Sequence, residues 1–247
     1  MRVLSKTQTG LNKTLSEDRL VIGRTVLDDC EAEIELGSPP FIIAVADGVG
    51  GASAGALASE FVAKRLTEYP FGIALSADSI KAELSIINNS LIKLSKASPE
   101  TEGMATTLSG IISNGEKTFI FHVGNTRVFG VFGGYLKQLT ADHTTYEFLR
   151  MSGNLDAAEV CNKSEITACM GGGNPDYLSK LEIFEFEKFC SLERIVLTSD
   201  GVHDYADIDS LEALVSGDID EKTCGEIVKA AILGGSHDDI SVIIIDK

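Results

Sequence analysis

Short apolar runs of β-type residues recur along this sequence and constrain the fold more than any other feature. Turn dipeptides such as Asn114-Gly115 and Gly133-Gly134 separate several of these runs. Asn-Gly and Gly-Gly pairs are typical of the tight turns in antiparallel hairpins. The sequence therefore predicts antiparallel sheets. The predicted strands are residues 19–26, 41–46, 107–112, 118–123, 127–132, 135–139, 181–186, 194–198 and 240–245.

Two longer segments carry apolar residues at three- and four-residue spacing, which predicts helices over residues 53–68 and 78–96. Ser76 or Asp78 is expected to cap the second helix. Its apolar stripe is Ile80, Leu84, Ile87, Leu91 and Leu94. Two more helices are predicted near residues 210–216 and 221–233. Strands grouped between helix pairs favour a layered α+β fold over a wound βαβ sheet.

No linker or region of biased composition divides the 247 residues, so we expect one domain over residues 1–247. Residues 141–176 are the least periodic segment and are predicted to form a partly helical surface flap. Apolar residues make up 44% of the chain, which is enough for a sizeable core.

The formal net charge of −16 argues against a partner that is nucleic acid or an anionic membrane, because both require a basic face. The polar start of the chain does not resemble a signal peptide, and no apolar run is long enough to span a bilayer. The five cysteines include no Cys-x-x-Cys pair. These features predict a cytoplasmic protein with reduced thiols.

Acidic residues stand beside four of the predicted strands. The runs at 41–46 and 195–199 lead into Asp47-Gly48 and Asp200-Gly201, while Glu17-Asp18 and Asp238-Asp239 stand next to the first and last strands. A single Asp-Gly pair is usually only a turn. Four acidic sites at strand ends instead indicate a divalent-metal centre, since carboxylate oxygens suit Mg²⁺ or Mn²⁺.

Several other chemistries lack their signatures in this sequence. There is no Gly-Lys pair for a P-loop, no complete dinucleotide-binding glycine motif, and no nucleophile elbow or metalloprotease helix. No cysteine is followed six residues later by arginine, which excludes the usual cysteine-phosphatase loop. The four histidines lack ligand spacing and are interpreted mostly as ordinary strand or surface residues.

Seven segments carry a recognisable series of motifs in a fixed order. They are Ser16-Glu-Asp18, Ala44-Val-Ala-Asp-Gly-Val-Gly-Gly51, Met104-Ala-Thr-Thr107, His122-Val-Gly-Asn-Thr-Arg127, Leu139-Thr-Ala-Asp-His143, Leu197-Thr-Ser-Asp-Gly201 and Gly235-Ser-His-Asp-Asp-Ile-Ser-Val242. Together they resemble the metal-dependent protein phosphatase family, the type 2C Ser/Thr phosphatases, in its bacterial form. The resemblance covers nearly the whole chain. It implies a four-layer α/β/β/α sandwich with two central antiparallel β-sheets flanked by helix pairs.

The resemblance also implies roles for individual residues. In the family, the acid matched by Asp47 bridges two Mn²⁺ or Mg²⁺ ions, and the glycine matched by Gly48 offers its carbonyl. Asp200 and Asp238 match acids that complete one metal site, and Glu17 matches the acid that supports the other. On this basis Asp47, Asp200 and Asp238 are the expected catalytic residues.

The remaining assignments concern the surroundings of the metals. Asp18 resembles a residue that orients the metal ligands, and Asp239, which stands where the family usually has Asn, is given the same role. Lys13 replaces the arginine that binds phosphate in the family, so it is either a weaker phosphate ligand or a solvated surface lysine. Asn125 replaces an acid that holds a third ion in bacterial relatives, so a third metal is expected to be weak or absent.

The sequence thus predicts a Mn²⁺/Mg²⁺-dependent protein serine/threonine phosphatase. The expected substrate is a phosphorylated protein, hydrolysed at phosphoserine or phosphothreonine by a metal-activated water. A cognate Ser/Thr kinase is the expected partner, and a monomer is the expected state. Two alternatives stay open: a phosphatase-fold binding module with little or no turnover, and a metallohydrolase of small phosphate esters.

Overall fold

Two stacked antiparallel sheets with helices on both outer faces form the fold. The structure, a computed structural model, describes residues 1–49, 52–72 and 74–247, so Gly50 and Gly51 of the predicted central motif lie outside the described residues. The strands are β1 (Arg2–Gln8), β2 (Asp18–Ile22), β3 (Thr25–Leu27), β4 (Glu31–Glu35), β5 (Phe41–Val49), β6 (Ala105–Thr106), β7 (Leu108–Ser113), β8 (Thr118–Val123), β9 (Arg127–Phe132), β10 (Tyr135–Gln138), β11 (Met170–Gly171), β12 (Glu182–Glu185), β13 (Arg194–Thr198) and β14 (Ile240–Asp246).

The helices lie on the outer faces and in the segment before β12. They are α1 (Ala52–Thr67), α2 (Ala77–Ser95), α3 (Thr145–Met151), α4 (Leu155–Val160), α5 (Asp200–His203), α6 (Ile208–Ser216) and α7 (Thr223–Leu233). Short 3-10 helices cover Pro99–Thr101, Pro175–Lys180 and Glu187–Ser191. Helix α2 begins with a capping box in which the Ser76 and Ser79 side chains bond reciprocally to the backbone, so Ser76 is the cap. No helix in the described part of the chain is long and apolar enough to cross a membrane.

Strand order places the first and last strands side by side. Within the described residues, one sheet runs β10-β9-β13-β14-β1-β4. The other runs β11-β6-β5-β7-β8-β12, with β2 joined to β5 and β3 joined to β2. Strands β5 and β14 are buried on both faces. Ile43 and Val45 of β5 face the other sheet, and Ile42 and Ala44 pack with α1 and α2. This two-sided burial explains why both strands are nearly continuous apolar runs.

Among the described residues, three apolar clusters fill the spaces between four layers, which confirms the predicted α/β/β/α sandwich. The first lies between the larger sheet and α1 with α2, and the second lies between the two sheets. The third lies between the smaller sheet and the helices α5 to α7.

Some local predictions were wrong. Residues 19–26 were predicted as one strand, but Gly23 adopts a φ of +62° and turns the chain between β2 and β3. Leu94 was assigned to the buried stripe of α2, yet it is 39% exposed, whereas the preceding members of the stripe are buried. Strands β1 and β4 were not predicted. Strand β4 has the sequence Glu-Ala-Glu-Ile-Glu at a sheet edge, where charged residues discourage pairing with another chain.

Candidate metal centre

The sheet registers bring the predicted acids to one end of the sandwich. Asp18 on β2 lies opposite Asp47 on β5. Asp200 follows β13 as the first residue of α5, and Asp238 and Asp239 immediately precede β14. Because β13 and β14 are antiparallel neighbours, the end of one and the start of the other meet at the same edge.

Two threonines fix the backbone at Asp47. The Thr107 amide and the Thr106 hydroxyl both donate to the Asp47 carbonyl, at 2.8 and 2.9 Å. The Gly48 amide donates to the Glu17 carbonyl at 3.0 Å, which joins the end of β5 to the loop before β2. The Met-Ala-Thr-Thr segment therefore fixes the backbone from which the Asp47 carboxylate projects.

The carboxyl groups of Asp18, Asp47 and Asp200 are crowded and dehydrated. Burial, followed by the charge of Asp200, raises the pKa of Asp47 well above its usual value. Burial, followed by the charge of Asp238, raises the pKa of Asp200 to about 6. Burial also raises the pKa of Asp18 to about 7, and neither of its oxygens has a hydrogen-bond partner in the part of the chain that the structure describes. Like charges this close together resist ionisation unless a cation joins them.

Lys13 supplies positive charge at this cluster. Its ammonium Nζ lies 2.5 Å from Asp238 Oδ1, 3.0 Å from Asp239 Oδ2 and 3.4 Å from Glu17 Oε2. The alternative of a solvated surface lysine therefore does not describe its position. Asp239 is only 2% exposed and also accepts hydrogen bonds from the amides of Gly10 and Glu17, both at 2.8 Å.

Asn125 contacts the same centre from the loop between β8 and β9. Its Nδ2 donates to Asp200 Oδ2 at 2.8 Å, and its buried Oδ1 contacts no hydrogen-bond donor among the residues described. An amide proton thus faces Asp200 where an aspartate would place a second negative charge. The weak or absent third ion stays a prediction.

The donor set suits a hard divalent cation. Within residues 1–49, 52–72 and 74–247, four buried oxygens of this centre have no hydrogen-bond partner: Glu17 Oε1, both oxygens of Asp18, and Asn125 Oδ1. Buried oxygens of this kind call for a bound cation or another donor. Across the described residues, no three His, Cys, Asp or Glu side chains are arranged to hold a metal ion as they stand. The chemistry of the donors fits Mg²⁺ or Mn²⁺, while Lys13 takes up some of their binding capacity.

Two glycines that the sequence analysis did not single out are essential to this packing. A Cβ on Gly10 would lie 2.5 Å from the His237 carbonyl oxygen, and a Cβ on Gly55 would lie 2.1 Å from Glu17 Oε1. Gly55 lies in the first turn of α1, where small residues recur. These small residues were the available sequence signal that the helix packs closely against its neighbours.

A pair of buried histidines joins the predicted flap to the sheets. His122 Nδ1 lies 2.7 Å from Ser109 Oγ, and its Nε2 lies 2.8 Å from the Ala141 carbonyl oxygen. His143 Nδ1 accepts a hydrogen bond from the Gly124 amide at 3.1 Å, beside Asn125. The two rings are 4.7 Å apart. Burial lowers the pKa of His122 to about 4, and burial together with the neighbouring ring does the same for His143.

This pair predicts a loss of stability in acid. The pKa of His122 is lower in the folded protein than in the unfolded protein. Its neutral ring therefore contributes fully to the free energy of unfolding above pH 6.5, and this contribution is lost as the pH falls toward 4. The expected loss is about 3 kcal/mol from His122 alone. The check is urea titration of wild type and His122→Gln at pH 6.5 and at pH 4. We expect the free energy of unfolding to fall by about 3 kcal/mol less in the variant than in wild type. Parallel losses in the two proteins would contradict the prediction.

The chain belongs to the protein phosphatase 2C family. The family profile, described as Protein phosphatase 2C, matches residues 25–218, which is more than three quarters of the chain. The match includes Asp47, Gly48 and Asp200. Lys13, Glu17 and Asp238 lie outside it, so their assignment depends on the motif resemblance and on the geometry described above.

Curated relatives agree with this membership. The chain is 26% identical over 257 residues to the serine/threonine protein phosphatase PstP of Mycobacterium tuberculosis, with 100% of this chain and 45% of PstP covered. The chain therefore spans less than half the length of that relative. It is 27% identical over 218 residues to the serine/threonine phosphatase stp of Listeria welshimeri, with 83% and 84% covered.

Solved structures share the fold. The S. agalactiae serine/threonine phosphatase superposes with a TM-score of 0.82 at 21% identity, with both chains fully covered. The catalytic domain of PstP in complex with two manganese ions superposes with a TM-score of 0.76 at 21% identity, with 100% of this chain and 99% of that chain covered. At this level of identity the likeness establishes the architecture alone.

Proposed function

We propose that this chain is a Mn²⁺/Mg²⁺-dependent protein serine/threonine phosphatase. The observation that carries the proposal is the buried cluster of Asp18, Asp47 and Asp200 at one end of a protein phosphatase 2C fold. Their pKa values are raised, and the two oxygens of Asp18 have no hydrogen-bond partner among the described residues. Relatives that bear the name serine/threonine phosphatase, and a PstP structure that contains two manganese ions, support it.

In this proposal five residues would hold two divalent ions. They are Glu17, Asp47, Gly48, Asp200 and Asp238. Divalent ions held there would lower the pKa of a bound water and would offset the charge of a phosphoryl group. Asp18 faces Asp47 across the strand pair and would orient it, while Asp239 fixes the loop before β2 through the Gly10 and Glu17 amides. Lys13, whose ammonium contacts Asp238, would be the cation that binds the substrate phosphate.

The test is phosphate release from a phosphothreonine peptide, with Mn²⁺ added and with EDTA. We expect turnover that depends on Mn²⁺ and stops in EDTA. No metal-dependent turnover on peptide or small esters would refute the proposal. Tight phosphopeptide binding by calorimetry without turnover would instead support the binding module, an alternative that the engagement of Lys13 with the acids favours. Faster turnover of nucleotides or other small esters than of the peptide would support the small-ester hydrolase.

The finer predictions about the cell stay predictions. The substrate would be a phosphoprotein, and a Ser/Thr kinase would act as the opposing enzyme. The monomeric state, the cytoplasmic location and the absence of nucleic-acid and membrane partners belong to the same proposal. So does a single catalytic domain whose flap, at residues 141–176, contains α3 and α4.

A further inference from the structure

Two departures from the family pattern meet in the structure. Lys13 stands where the resemblance expects arginine, and Asp239 stands where it expects asparagine. They are 226 positions apart in the chain, yet Lys13 Nζ lies 3.0 Å from Asp239 Oδ2. An unusual extra acid is therefore neutralised by an unusual lysine.

Burial and hydrogen bonds fix the Asp239 carboxylate where it contacts Lys13. Its side chain is 2% exposed, and the Gly10 and Glu17 amides each donate to one of its oxygens. Among the described residues, Lys13 is the cation that contacts this carboxylate. A buried carboxylate with its hydrogen bonds made and one cation in contact is costly to leave unpaired.

The same ammonium also contacts two of the proposed metal ligands. Asp238 Oδ1 lies 2.5 Å from Lys13 Nζ, and Glu17 Oε2 lies 3.4 Å away. Lys13 is 28% exposed, so solvent screens these contacts only in part. A divalent cation at the same oxygens would lie within a few ångströms of the ammonium, where repulsion is strong.

We propose that Lys13 is a built-in counter-ion of the acid cluster, which competes with a divalent cation for Asp238 and Glu17 while Asp239 anchors it. The inference depends on the metal-binding part of the proposed function and is independent of turnover. Lys13 is a positioning residue in this account, because it acts through the carboxylates. Loss of Lys13 should strengthen metal binding, whereas loss of a phosphate ligand alone would leave metal affinity unchanged.

The test is calorimetric titration of Mn²⁺ into wild type and four variants at fixed pH and salt. Lys13→Gln is expected to bind Mn²⁺ about tenfold more tightly than wild type, because the competing charge is gone. Asp239→Asn is expected to bind Mn²⁺ more weakly, because it removes a negative charge beside the centre while Lys13 keeps its contacts with Asp238 and Glu17. Lys229→Gln, which breaks an exposed ion pair with Glu226 on α7, is the matched control and should match wild type.

The double variant Lys13→Gln/Asp239→Asn guards against misfolding of the single variant, because it leaves no uncompensated charge at position 239. We expect it to melt closer to wild type in EDTA than Lys13→Gln does, and to bind Mn²⁺ more tightly than Asp239→Asn. The inference would be overturned if the double variant bound Mn²⁺ no more tightly than Asp239→Asn. It would also be overturned if none of the variants bound Mn²⁺. A wild-type protein that binds Mn²⁺ without hydrolysing peptide would refute only the phosphatase activity.

Discussion

An Asp47→Asn variant should lose metal-dependent turnover by a factor on the order of 10³. The same variant should be at least as stable as wild type in EDTA. Asp47 is surrounded by Asp200, Asp18 and Asp238, and burial raises its pKa well above the usual value. Without metal, the ionised Asp47 carboxylate destabilises the folded state, and a neutral amide of the same shape removes this destabilisation. With metal, the charge is what binds the ions.

The pH dependence of this effect has a definite sign. A carboxyl group whose pKa is higher in the folded than in the unfolded protein supports stability at low pH, and that support is lost as the pH rises through the folded pKa. The advantage of Asp47→Asn in EDTA should therefore be larger at pH 8 than at pH 5, as measured by urea unfolding. Saturating Mn²⁺ should reverse the order of stability.

The control for this experiment is Asp209→Asn, an exposed aspartate in the first turn of α6. It should change neither turnover nor the response to Mn²⁺. Full activity in Asp47→Asn would remove Asp47 from the proposed centre. A large loss of stability in EDTA would show that the charge of Asp47 supports the fold instead of opposing it.

The strands were largely predictable because their signal is local. Strands such as β13 and β14 are buried on both faces, so their apolar runs mark their extent to within a residue. Strand β1, Arg-Val-Leu-Ser-Lys-Thr-Gln, contains only two apolar residues and is recognisable only through its pairing with β14, whose residues lie more than 200 positions away. Contacts at such separations leave no periodic trace in the sequence.

The acids of the centre were predictable from the order of the motifs, but their partners were not. Nothing near Lys13 in the sequence indicates that its ammonium contacts Asp238 and Asp239. The pairing depends on how the loop before β2 folds against the start of β14, through hydrogen bonds such as that from Gly10 to Asp239. Side-chain electrostatics of this kind emerge only once the chain termini have been brought together.

Gly48 illustrates how one residue serves both the fold and the site. The family resemblance predicts it as a carbonyl ligand of the metals. The close neighbour in the structure is Gly55 of α1: a Cβ on Gly48 would lie 2.3 Å from the Gly55 carbonyl oxygen and 2.8 Å from its Cα. Both contacts involve backbone atoms, which cannot rotate away. Helix α1 can therefore pack on β5 at this distance only if residue 48 has no side chain.

A Gly48→Ala substitution should thus lower the free energy of unfolding by about 3 kcal/mol, since α1 must move as a body to make room. In a chain of this size the melting temperature should fall by roughly 10 °C. Gly37→Ala is the matched control, because no atom lies within 4 Å of its added Cβ and its φ is not positive. The free energy of unfolding of that control should stay within about 1 kcal/mol of the wild-type value, on the stabilising side if it changes at all.

Because Glu17 Oε1 abuts Gly55, movement of α1 should also weaken Mn²⁺ binding in the folded Gly48→Ala variant. A Gly48→Ala protein with unchanged melting temperature and Mn²⁺ affinity would show that the contact between Gly48 and Gly55 does not constrain the centre.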